Sequence, residues 1–372
     1  LMNKTSKIII GIIVLVIVVW GGVKLFGTKN EKATEPVKIG VILPLSGNVA
    51  KYGEEMKRGI ELAIEKNKEI PIEVFYEDSK FDTKEGVSVY QKLKNANGIK
   101  IMITAGSPVA LAISPLANSD HIFQMAIAAS TPKYTSENDF TFRVTTRSEV
   151  EDQELAKFVV PRYKNIGLLY VNNEWGVSHY NAIKTEIEKL KGNIVAEETF
   201  LMDGTDFRTQ LLKIKSKNPE AVFLLAVAKN AGIILKQAKE LEIKTQFFGT
   251  QSLQSQDLIS IAGEEANGII YSYSFDPQAE GLITKTFVEK YKAKYNEEPT
   301  SYVAEGYDAL DLIIKAINEC KEINTDCMKT KLSGVKDYPG ILGSLTFDKN
   351  GDVYYPYFIK TVKNGQFVKY EE

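Results

Sequence analysis

Histidine and cysteine are scarce in this chain, with two of each among 372 residues. Two cysteines cannot make a four-cysteine zinc site, and a mixed site would consume His121 and His179 as well. General-base chemistry would then fall mainly on carboxylates, and no carboxylate pair stands out in a loop at a strand end. The sequence has no G-x-S-x-G, no G-x-G-x-x-G, no G-x-x-x-x-G-K-[ST] and no H-E-x-x-H. These absences weigh against a hydrolase, a dinucleotide enzyme, an NTPase and a metalloprotease. A formal charge of −2 argues against a nucleic-acid partner, which needs a clustered basic face. His121, next to Asp120, and His179, early in a helix, both read as surface residues.

The chain is not uniform. Residues Ile8 to Val23 run sixteen positions without a charge, behind Lys4 and Lys7 and ahead of Lys24. With Lys24 snorkelling and Leu25 and Phe26 counted, the run approaches the ~20 residues that span a bilayer. A cleaved secretory signal is the other reading. No A-x-A-like site and no lipid-accepting cysteine follow, which favours an uncleaved anchor over residues 8–26. Either reading sends the remainder of the chain across the membrane, positive end inside. Residues 1–36 carry five lysines and two glutamates, so the rest, at −5, is mildly acidic. Gly27–Pro36 is polar and reads as a tether.

From Val37 the pattern alternates. Strands are predicted at 37–43, 72–76, 101–104 and 123–126, with helices at 53–67, 83–96 and 108–117 between them. After a helix at 148–160, stopped by Pro161, strands follow at 166–171, 194–199, 221–226 and 246–249. Helices at 178–190, 207–217 and 231–241 separate these. Such alternation predicts parallel βαβ units with helices on both faces, in two α/β blocks. Two long helical patterns follow, 280–295 and 302–322, then β-rich pieces at 344–347 and 354–362 around a Lys349–Asp352 turn. The chain end is expected to complete both blocks, making them discontinuous.

Ligands in open α/β sheets bind beyond the carboxyl ends of strands. Four such loops are candidates: Pro44–Gly47 with Tyr52 and Gly53, Gly106–Pro108, Ala128–Thr131, and Asn172–Gly176. Ser107 is expected to cap its helix with Pro108 in the first turn, leaving N–H groups that suit a carboxylate. Trp175 reads as an exposed aromatic at a strand end. Cys320 and Cys327 lie seven apart, and a disulfide is the first reading outside the cytoplasm; two free thiols are the alternative.

Val37–Gly53 (VKIGVILPLSGNVAKYG), Asp78–Asp82 and Gly106-Ser107 resemble type I periplasmic binding proteins, especially the branched-chain amino-acid (Leu/Ile/Val) binding family. So do Asp206-Phe207, Lys244–Gly249 and Gly306–Ala309, and the resemblance covers 37–372 in order. It implies two Rossmann-like lobes joined by three crossovers and closing over a ligand. The expected lobes are 37–147 plus 275–339, and 148–274 plus 340–372, behind a 1–36 signal, anchor and tether. It also implies delivery of a small amino-acid-like or carboxylate-bearing ligand to ABC permease subunits, without cofactor and without catalysis.

On the same resemblance, Ser107 and Ser130 match the carboxylate-holding hydroxyls and Ala128 a main-chain contact. Tyr52 and Trp175 match aromatic cleft positions. The acidic residue that faces the ligand ammonium in that family is Gln251 here, and a second-lobe tyrosine is Val227. A buried ammonium without a counter-charge is costly. The expected ligand is therefore a small carboxylate or amide-like molecule, with Glu305 a candidate substitute acid if it is not merely on a helix surface. A sensing ectodomain of the same fold is the alternative, disfavoured by the seven residues ahead of the apolar run; an enzyme is a further rival.

Overall fold

A computed structural model describes residues 35–371. The anchor expected over residues 8–26 lies outside them. Among the described residues no helix is long and apolar enough to cross a membrane.

The first lobe is built on a five-stranded sheet, order β2-β1-β3-β4-β5, every pairing parallel. Its strands are β1 Val37–Leu43, β2 Ile72–Asp78, β3 Ile101–Ala105, β4 Phe123–Ile127 and β5 Thr141–Arg143. The helices between them are α1 Ala50–Lys66, α2 Thr83–Asn97 and α3 Ser107–Ser119. Strand periodicity decides which helix meets which side chain. Ile39, Val41 and Leu43 point to one face and join Met56 and Ile60 of α1. Ile42 points to the other and joins Val89, Leu93, Val109 and Ile113 from α2 and α3. With both faces covered, β1 reads as an apolar run, as central parallel strands do.

The second lobe has seven strands in the order β14-β13-β10-β9-β8-β6-β7. Strands β6 Asn165–Val171, β7 Asn193–Phe200, β8 Ala221–Leu225, β9 Gln246–Gly249 and β10 Ile270–Tyr273 are parallel. Strands β13 Phe358–Lys363 and β14 Gln366–Lys369 close one edge as an antiparallel hairpin. Helices α4 Ser148–Val159 and α5 Glu174–Lys189 cover one face. Helices α6 Arg208–Ser216 and α7 Ala228–Glu240 cover the other, followed by the short α8 Gln256–Ala262.

The helices α9 Leu282–Tyr295, α10 Ser301–Cys320 and α11 Thr325–Ser333 complete the molecule. Helix α10 crosses α1 closely enough that only glycine fits. A Cβ on Gly59 would lie 2.0 Å from the Val303 carbonyl oxygen, and one on Gly306 would lie 2.2 Å from that of Met56. Cys320 and Cys327 form a disulfide between the end of α10 and α11, with Cα atoms 5.9 Å apart.

Several short elements were not expected: β5, α8, β10 and β14. The Lys349–Asp352 segment does turn, with Gly351 at φ 87°, but it does not join a hairpin. The two-residue β12 Ser344–Leu345 pairs with β11 Tyr338–Pro339, while β13 pairs with β10 and β14. Residues 354–357 are not strand, and the strand expected from 354 begins at Phe358.

Candidate ligand-binding cleft

The carboxyl ends of β1, β3, β4, β6, β8 and β9 converge on two adjoining compartments between the sheets. One, of about 40 Å³, is largely apolar and is lined by Val49, Met56, Phe81, Val227 and the rings of Tyr52, Trp175 and Tyr302. The other, of about 20 Å³, is polar and is lined by Ser130, Thr145, Glu151, His179, Thr250 and Gln251. Ala128, Trp175, Ser252 and Tyr302 border both. Larger hollows of about 440 and 600 Å³ share no lining residue with these two, and neither gathers strand-end loops from both sheets.

The lobes are in direct contact across this space. The Tyr52 hydroxyl donates to the Ser252 carbonyl at 2.6 Å and accepts the Ala228 amide at 2.9 Å. Asn48 Nδ2 donates to the Met202 carbonyl at 2.7 Å. Thr131 Oγ1 donates to Glu174 at 2.9 Å and accepts the Ser178 hydroxyl at 3.0 Å. This is a closed cleft.

The loop after β4 is held from behind. Ala128 sits in the left-handed region at φ 52°, a costly conformation for a residue with a Cβ. Its amide donates to Glu305 Oε2 at 2.8 Å, and the Thr145 hydroxyl donates to the same oxygen at 2.6 Å. Arg143, fully buried, donates through Nη1 to the carbonyls of Ala129 and Thr131, both at 2.8 Å. Its Nη2 donates to Thr135 Oγ1 at 2.7 Å, and its Nε lies 2.5 Å from Asp352 Oδ1. A planar guanidinium suits this multi-point anchoring better than a lysine would.

Of the residues singled out in the sequence, Tyr52, Ala128, Ser130, Trp175 and Gln251 line the compartments. Trp175 is half-buried rather than exposed, because the first lobe covers it; its ring lies 4.8 Å from that of His179. Ser107 and Glu305 line neither compartment. Gly106, at φ 84°, occupies the cap position expected for Ser107. Ser107 is the first helical residue, and its hydroxyl accepts the Thr131 amide at 3.2 Å. Glu305 is 1 % exposed, not a helix-surface residue, because α10 turns it inward beneath Ala128.

His179 also departs from expectation. It is 1 % exposed, with Nδ1 2.9 Å from Asp152 Oδ2 and Nε2 3.0 Å from Ser130 Oγ. Burial lowers its pKa and raises that of Asp152 well above the carboxylate range. His121, by contrast, is an exposed turn residue at φ 51°.

Sequence reasoning missed Glu151, Thr145, Thr250, Ser252 and Tyr302. Glu151 belongs to an acidic first turn, which reads as ordinary helix-dipole complementation. In the fold it is 2 % exposed, and its Oε1 accepts both the Gln251 amide and the Ser272 hydroxyl at 2.7 Å. Burial pushes its carboxyl up to about 7. Gln251 in turn accepts the Ser274 hydroxyl on its side-chain oxygen at 3.0 Å.

The comparisons agree with this geometry. The family model described as periplasmic binding protein matches residues 36–366. The Leu/Ile/Val-binding protein of Escherichia coli K12 is 26% identical over 338 residues, covering 87% of this chain and 90% of that one. Leu/Ile/Val-binding protein homolog 2 of Brucella abortus is 25% identical over 346 residues, covering 90% and 92%. Among solved structures, the branched-chain amino-acid binding protein LivJ of Streptococcus pneumoniae superposes with a TM-score of 0.82. It is 26% identical, with 90% of this chain and 98% of that one covered. The leucine-binding protein LivK of Thermotoga maritima gives 0.86 at 24% identity, over 90% and 98%, a likeness of fold. Two parallel-sheet lobes with a cleft between them are thus matched by sequence along nearly the whole described chain, and the chain belongs to the periplasmic binding protein family.

Proposed function

We propose that this chain is the extracytoplasmic substrate-binding protein of an ABC importer. It captures a small carboxylate-bearing or amino-acid-like molecule between its lobes and presents it to permease subunits. The observation that carries this reading is the Tyr52 hydroxyl, which joins the lobes across a cavity with one apolar and one polar half. A ligand touching both lobes favours closure by its differential affinity for the closed state. The pneumococcal relative, described in complex with isoleucine, supports an amino-acid-like ligand.

In this reading Ser130 and the Ala128 main chain meet the polar end of the ligand, while Tyr52 and Trp175 flank its apolar part. Ser107 acts through the Thr131 amide, and Glu305 through Ala128. We keep the lobe assignment of 37–147 with 275–339, and 148–274 with 340–372. The last piece also ties back to the first sheet, through Asp352 on Arg143 and Phe347 packed 5.2 Å from Phe142. Residues 8–26 would hold the protein at the outer membrane face.

The test is a thermal-shift screen of the full-length chain against amino acids, small carboxylates and amides, followed by NMR of the ligand afterwards. One-to-one binding with the ligand recovered unchanged is the expected result. The reading is overturned if no member of the screen raises the melting temperature, or if the bound molecule is chemically converted.

A further inference from the structure

Position 251 and Glu151 form one unit. The resemblance places an acidic residue at 251, where this chain has glutamine, and the fold brings a carboxylate to that position from another element. Glu151, in the first turn of α4, accepts the backbone amide of Gln251 itself at 2.7 Å. Ser272 donates to the same oxygen, Oε1, at 2.7 Å. Both bonds fall on Oε1, so Oε2 has no donor from the described residues. The side chain is 2 % exposed and lines the polar compartment.

Among the described residues no arginine or lysine lines that compartment. Its one basic group, His179, has Nδ1 on Asp152 and Nε2 on Ser130. A carboxylate shut away from water with no cation beside it is expensive to keep ionised. The raising of Glu151 to about 7 by burial expresses that cost. A ligand that brings its own cation removes it.

Building on the solute-binding reading, we propose that Glu151 is the counter-charge for a cationic nitrogen of the ligand, replacing the acid absent from position 251. The ligand class is then a small zwitterion with an apolar side chain, rather than a plain carboxylic acid or amide. The nitrogen faces Glu151, the carboxylate lies toward the Ser130 hydroxyl, and the side chain occupies the space between Val49, Met56, Phe81 and Val227. This revises the expectation drawn from Gln251 alone: the ammonium half of the site has moved to another helix.

The test uses the full-length chain and isothermal titration with matched pairs: leucine and 4-methylpentanoate, valine and 3-methylbutanoate, phenylalanine and 3-phenylpropanoate. Wild type should bind at least one amino acid more tightly than its deaminated partner, by roughly 30-fold or more. Glu151→Gln, which keeps an acceptor for Gln251 and Ser272, should weaken that amino acid by roughly 30- to 1,000-fold. It should leave the deaminated acid within about threefold, because the carboxylate contacts are untouched. Adding Gln251→Glu to Glu151→Gln should recover most of the lost affinity. A deaminated acid bound as tightly as its amino acid by wild type overturns the inference and leaves solute binding standing. So does an amino-acid affinity unchanged in Glu151→Gln. Failure of every pair to bind overturns the inference, and the wider thermal-shift screen then decides the solute-binding reading separately. The wild-type comparison needs no variant, so the inference stays exposed even where Glu151→Gln does not fold.

Discussion

Glu305 holds the amide of Ala128 at 2.8 Å, fixing a left-handed residue at the wall of the cleft from a helix more than 170 positions away in the chain. Glu305→Ala leaves that amide and the Thr145 hydroxyl without their acceptor. Each unsatisfied buried group costs about 1–3 kcal/mol. Urea unfolding should show a loss in that range or above it, and ligand affinity should fall with it. Glu305→Gln keeps a carbonyl oxygen in place and should lose less on both measures. Equal losses for the two variants would mean that charge, not the hydrogen bond, is what matters.

Tyr52→Phe keeps the ring, packed at a tilt 4.8 Å from that of Tyr302, and removes only the hydroxyl that spans the lobes. The closed state then has an unanswered carbonyl at Ser252 and an unanswered amide at Ala228. Stopped-flow measurement should show ligand release about tenfold faster, with association little changed. Unchanged release would mean that this contact does not limit opening.

Stability should depend on pH in an unusual direction. Burial raises the carboxyls of Glu55, Glu151, Glu305 and Asp308 to about 7. In the unfolded chain they lose their protons near pH ~4. Between those values the folded state binds more protons, so the stabilisation is complete at the acidic end and is lost as pH rises through about 7. Asp120, lowered by its bonds to Lys94 and Tyr90, works oppositely and penalises acidification below the carboxylate range. The melting temperature of the ligand-free protein should therefore be higher near pH ~5.5 than near pH ~8. A melting temperature that rises across that interval would show that these four groups ionise normally.

The crossing of α1 and α10 sets a steric limit. Gly59→Ala places a methyl group 2.0 Å from the Val303 oxygen, and a backbone carbonyl in the first turn of α10 cannot step aside without moving the helix. A destabilisation of about 1–3 kcal/mol or more is expected by denaturant unfolding. Because Gly306 meets the same helix pair at the Met56 oxygen, Gly59→Ala and Gly306→Ala together should cost less than their sum. Strict additivity would argue that each glycine is accommodated separately.

Much of the architecture is legible in the chain because central parallel strands are apolar runs bounded by helices of clear periodicity. The strand predicted at 246–249 is observed as Gln246–Gly249, and that at 166–171 begins one residue earlier, at Asn165. What escaped is short or depends on distant partners. Strand β5 has three residues, and β10 carries no alternation of its own because neighbours bury all four of its residues. The strand-end loops were visible for the same reason as the strands. The roles of Glu151, His179 and Glu305 were not, since all three sit on helices whose polar residues read locally as solvent-facing. Their partners, Gln251 and Ser272 for Glu151, Asp152 and Ser130 for His179, and Ala128 and Thr145 for Glu305, lie too far along the chain for a local window to contain.

Arg143 has a consequence for how such a cleft changes its preference. One guanidinium grips two carbonyls of the cleft-lining loop, a threonine beyond it and an aspartate from the chain's last segment. Replacing any single residue of that loop alters a side chain but leaves the path of the backbone pinned at several points. On the facing lobe, Trp175, Val227 and Gln251 stand at or near the starts of separate helical segments, and Gln251 is tied there by two single bonds, its amide to Glu151 and its side chain to Ser274. Altered selectivity is therefore more readily gained by exchanging residues on the second lobe, with the first acting as a fixed jaw.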